Sequence, residues 1–96
     1  MHACTLAVEL HVPAAGSLKA KRAAIRPILD GARARFRVAA AEVGFQEQWQ
    51  RALLGFATVA GEAHQVEEVL DKLERFVWSH PGVEVVATTR SWLEDG

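Results

Sequence analysis

With 96 residues, half of them apolar, and a net charge of −1, the chain has the makings of one globular domain. It has neither the composition of a disordered segment nor the overall charge of a strongly basic nucleic-acid protein. Its one cysteine, Cys4, excludes an intramolecular disulfide and suits a reducing, cytoplasmic setting.

Residues 3–12 alternate. Leu6, Val8, Leu10 and Val12 fall on one face, and Thr5, Ala7, Glu9 and His11 on the other, which is the pattern of a half-buried strand. Glu9 and His11 interrupt the apolar run and no basic leader precedes it, so neither a signal peptide nor a membrane span is expected. His2 is expected to fray. Pro13 to Gly16 ends the strand. A helix follows from Ser17, a good N-cap, to Arg37. Val38 to Val43 reads as a short strand, and Gly44 to Gln50 as a connection rich in glutamine and aromatics. Arg51 to Ala60 reads as the next strand, and Glu62 to Ser79 as a second helix with Val66, Val69, Leu70, Leu73 and Val77 on one side. His80-Pro81-Gly82 stops that helix, with His80 at its dipole's negative end. Val83 to about Trp92 is the last strand, and Leu93 to Gly96 reads as a tail.

The order β-α-β-β-α-β is the ferredoxin-like arrangement, an α+β fold with a four-stranded antiparallel sheet and both helices on one face. The whole of residues 1–96 is then a single domain.

The first helix carries seven of the eleven basic residues against one acid, Asp30. Leu18, Ile25, Ile28, Leu29, Ala32 and Phe36 form its core stripe. Lys19, Arg22, Arg26 and Arg33 lie within about 60° of one another beside that stripe, at 100° per residue. Ala20, Ala24, Pro27, Gly31 and Ala34 leave a third face small enough for another backbone. Pro27 removes one helical hydrogen bond and loosens the helix. The basic stripe has two readings: a solvated face pairing with Glu67, Glu68, Asp71 and Glu74 of the second helix, or a docking surface.

The strand at 51–60 is apolar on both sides, with Ala52, Leu54 and Phe56 on one and Leu53, Gly55, Ala57 and Val59 on the other. Strands of that kind are covered on both sides. The expected cover is a second copy of the chain, with Leu54 and Phe56 as the contact; Trp49 and Trp92 are the alternative.

No Gly-rich phosphate loop, paired CxxC or nucleophile elbow is present. Acylphosphatases share this topology but rely on an asparagine, and the chain has none. Glu9 and His11 share an outward face, and Glu42 is the third member of the one cluster that could bind a small ligand or act as an acid–base site. Nothing sets three metal ligands at motif spacing. The pattern points away from an enzyme, and no cofactor, metal or DNA partner is expected.

SLKAKR (Ser17 to Arg22) and AEVGFQEQWQRA (Ala41 to Ala52), framed by VELHVP and VEEVLDKLERFV, resemble the YlxP-like family, a bacterial family of unknown function. Ala20 stands where the family's SLKEKR has glutamate, and Phe45 where a polar residue is common. The resemblance implies a ferredoxin-like fold. It also implies an RNA or ribosome partner, because members are often encoded near ribosome-maturation factors. The positions it marks are Ser17, Lys19, Lys21, Arg22, Glu42, Gly44, Gln46, Trp49 and Gln50. A purely structural account makes Ser17 a cap, Gly44 a turn and Trp49 a packed anchor. The expected reading is a non-enzymatic, homodimeric RNA- or ribosome-associated module. Its docking residues are Lys19, Lys21, Arg22, Arg26 and Arg33, aided by Gln46, Gln48 and Trp49. A regulatory homodimer with a protein partner is the alternative.

Overall fold

Six elements follow the expected order: β1 (His2–His11), α1 (Leu18–Phe36), β2 (Ala39–Gly44), β3 (Arg51–Ala60), α2 (Ala63–Trp78) and β4 (Glu84–Leu93). The structure, a computed structural model, describes residues 1–93; Glu94, Asp95 and Gly96 lie outside the described residues. The strands form one antiparallel sheet in the order β2-β3-β1-β4, so the fold is ferredoxin-like. Among the described residues, no helix is long and apolar enough to cross a membrane.

Cross-strand pairs lie on the same face of a sheet. Leu6 faces Phe56 and Val8 faces Leu54, and all four are buried under the helices. Ile25, Ile28 and Ala32 of α1 and Val66, Leu70, Leu73 and Val77 of α2 close the same core. Leu54 and Phe56 are 0% and 1% exposed, so the expected oligomer contact at these two residues is corrected. The outward set on β3 is Leu53, Gly55, Ala57 and Val59. Trp92 lies opposite Cys4, on the helix side, and does not cover the open face. His2 is not frayed but pairs with Ala60 at the start of β1.

The first helix starts where its sequence places it. The Ala20 amide donates to Ser17 Oγ at 3.0 Å, so Ser17 is the N-cap even without the capping-box glutamate. Arg37 closes α1 in the left-handed region, at φ 55°. α1 continues through Pro27 as one helix.

The two helices meet through aromatic packing, not charge. The Phe36 and Phe76 rings stand edge to face at 5.5 Å. Gly31 gives Phe76 its room, because a Cβ there would run into Phe76 Cζ. Part of the small-residue face of α1 is therefore used by the chain's own α2. Three acids of α2 are engaged elsewhere: Glu68 with Lys72 at 3.1 Å, and Asp71 and Glu74 with Arg90 of β4 at 2.8 and 3.3 Å. Burial pulls the Arg90 pKa down, but the Asp71 hydrogen bond and the Glu74 and Asp71 charges outweigh it and leave it raised.

Candidate functional site

Lys21 is the unexpected residue. It occupies the core stripe of α1, at i, i+4, i+7 and i+11 with Ile25, Ile28 and Ala32, and is 0% exposed. A lysine there requires a full set of partners. Its ammonium donates to the carbonyls of Phe45 (2.9 Å), Arg51 (3.2 Å) and Gln46 (3.4 Å). Glu42 Oε2 lies 2.7 Å away and has no partner besides that ammonium among the described residues. The carboxylate, the nearest of these four oxygens, meets the ammonium as an ion pair. The expectation that Lys21 contacts a partner is corrected: it is a buried brace tying α1 to the end of β2 and the loop after it.

Glu42 lies opposite Leu54 in the β2–β3 register, on the helix side of the sheet. Glu9 and His11 face the other way, so the three do not form one cluster. Glu9 pairs with Arg51 at 3.1 Å and His11 with Glu84 at 3.2 Å. Among the described residues, no group of three or more His, Cys, Asp or Glu is placed to hold a metal.

The brace shapes the loop at residues 45–50. Phe45 sits at φ 56°, a left-handed conformation that suits asparagine or glycine better than a bulky residue. Its ring is held by the Arg51 guanidinium, 3.7 Å from the centroid. Gly44 does not supply the positive φ of a turn; a Cβ there would press on Leu53 Cδ2 at 3.0 Å. Gln46 Nε2 donates to the Glu42 carbonyl, and Gln50 Nε2 to the Pro13 carbonyl. These two amides therefore hold the loop. Trp49 is 55% exposed, so it is not a packed anchor. With Gln48, Gln50, His11 and Val86 it lines an open cleft of about 730 Å³ at this end of the sheet.

The remaining bases divide clearly. Arg33 Nη1 lies 3.1 Å from Asp30, and Nη2 donates to the Ala40 carbonyl on the edge strand β2. Arg35 stacks near the Phe76 ring, 5.0 Å from its centroid. Lys19, Arg22 and Arg26 are exposed and have no carboxylate partner among the described residues. Arg22, Arg26 and Arg33 line one groove between α1 and β2, of about 260 Å³, together with the carboxylates of Asp30 and Glu42 and floored by Ile25 and Leu29.

A ferredoxin-like domain with a buried Lys–Glu brace and an unpaired cationic helix face is the class these features define. The chain belongs to the family described as Protein of unknown function (DUF503), whose model matches residues 3–90. It is 38% identical over 79 residues to the uncharacterized protein YlxP of Bacillus subtilis (strain 168), covering 82% of this chain and 86% of that protein. The family suggested by the SLKAKR and AEVGFQEQWQRA motifs is thus the family found.

Proposed function

We propose that this protein is a non-enzymatic cytoplasmic module that docks on structured RNA, in the setting of the ribosome, through the exposed face of α1. One observation carries the reading. Lys19, Arg22 and Arg26 project from one helix face with no carboxylate in ion-pair contact among the described residues, while Glu68, Asp71 and Glu74 of α2 pair with Lys72 and Arg90. Solvated stripes that serve only solubility are usually mixed in sign. Unpaired guanidiniums beside a groove suit phosphodiester oxygens, which they can meet with two parallel hydrogen bonds. Trp49, exposed on the loop that Lys21 braces, supplies a flat surface for an unstacked base.

The enzyme reading loses its support, because Glu9 is ion-paired with Arg51, His11 Nδ1 is in hydrogen-bond contact with Glu84, and Glu42 lies on the opposite face.

The test is fluorescence anisotropy with labelled hairpins taken from bacterial ribosomal RNA. Three cations neutralising phosphates give a slope of log K against log salt of about −2 to −3. The double substitution Arg22→Glu, Arg26→Glu removes binding and leaves folding intact, because both side chains are exposed. RNA binding that persists unchanged in this variant, or no binding at low salt, overturns the reading.

A further inference from the structure

We propose that the open face of the sheet is an interface between two copies of this chain, packed sheet to sheet about a two-fold axis. No helix covers this face. Its middle is built from small and apolar side chains: Ala7 on β1, Ala41 and Val43 on β2, and Leu53, Gly55 and Ala57 on β3. A shallow apolar depression of about 440 Å³ lies among them. Val43 and Val59 stand 55% and 60% exposed.

Three observations select a second copy as the occupant. The first is charge. Glu9 with Arg51 and His11 with Glu84 lie at one end of the face and are paired within the chain. Among the described residues, covering the middle of the sheet therefore buries no charged side chain, which is the usual large cost of closing such a surface. The second is size. Four strands about 4.8 Å apart and up to ten residues long give a face of about 19 by 33 Å, roughly 600 Å² in projection. Standing side chains raise its accessible area toward the ~800 Å² per partner of a stable interface. A helix about 10 Å across leaves roughly half that width uncovered, whereas a second sheet stacked about 10 Å away covers it. The third is relief. The depression lies over β1, β3 and β2, while Val86 and Leu93 of β4 are large, exposed apolar residues beside it. In an isologous pair each copy's ridge enters the other's depression, so one patch serves as both halves of the contact. Lys19, Arg22 and Arg26 are on the helix layer and stay open in such a dimer.

Sedimentation velocity of the purified chain between about 1 and 100 µM tests this. The expected species has twice the 10.5 kDa chain mass. Val43→Glu and Ala57→Glu, both at exposed positions, each weaken the dimer at least about a hundredfold by placing an unpaired carboxylate in the contact. Both keep the unmodified melting temperature to within a few degrees, because neither residue is in the core. Arg26→Glu leaves the dimer unchanged. A 10.5 kDa monomer throughout this range overturns the proposal. So does a dimer that survives both glutamate variants, or one that Arg26→Glu disperses.

Discussion

Lys21 Nζ on α1 lies 2.7 Å from Glu42 Oε2 on β2, and the lysine is wholly buried. Removing the lysine leaves the Glu42 carboxylate, only 14% exposed, without its partner and three loop carbonyls without their donor. Lys21→Ala is therefore expected to lower stability by ~3–5 kcal/mol, a large share of the ~5–15 kcal/mol typical of a small domain. Lys21→Met combined with Glu42→Leu recovers much of that loss, because neither charge is then left alone. Urea unfolding of the two variants measures the difference; equal losses would mean that the carbonyls of Phe45 and Arg51, not Glu42, supply the compensation.

Trp49 gives the opposite expectation. At 55% exposure, Trp49→Ala changes stability by no more than about 0.5 kcal/mol. Affinity for structured RNA falls about tenfold, the value of one stacked base at the low end of ~1–3 kcal/mol. Thermal melts and anisotropy on the same variant separate the two effects. A large fall in melting temperature would place the indole in the fold after all.

Phe56 is 1% exposed and faces Leu6 across the sheet. Phe56→Ala is expected to cost ~3–5 kcal/mol by leaving a cavity under both helices. Phe56→Glu unfolds the domain and does not yield a folded monomer. A folded, soluble Phe56→Glu protein by circular dichroism would contradict the packing described.

Gly31→Ala sets two effects against each other. Alanine favours the helix by about 1 kcal/mol over glycine. Its Cβ, however, meets Phe76 Cζ and forces the ring out of its edge-to-face contact with Phe36. Overpacking of this kind costs ~1–3 kcal/mol, so the net expectation is a loss. Gly31→Ala paired with Phe76→Leu restores the helix gain. A single variant more stable than the parent would show that Phe76 yields without cost.

Much of the site was present in the sequence as periodicity. Lys21 stands in register with Ile25, Ile28 and Ala32, which marks a core position, yet its charge draws it to the basic stripe when residue type is weighed above spacing. The alternation of β3 likewise separates Leu54 and Phe56 from Leu53, Gly55, Ala57 and Val59. It does not say which set meets the helices, because both sets are apolar.

Local pattern by itself determined the six elements, the N-cap at Ser17, and the concentration of bases on α1. Each of these depends on residues within a turn or two of one another. Only the tertiary structure decided which face of the sheet is covered, that Lys21 meets Glu42, and that Glu42 lies away from Glu9 and His11. It also decided that Glu68, Asp71 and Glu74 of α2 turn to Lys72 and Arg90, leaving Lys19, Arg22 and Arg26 without a carboxylate partner among the described residues. The physical reason is that a side chain's partner is set by strand order and helix placement, which join residues as distant as Lys21 and Arg51 or Asp71 and Arg90. No local spacing encodes those distances.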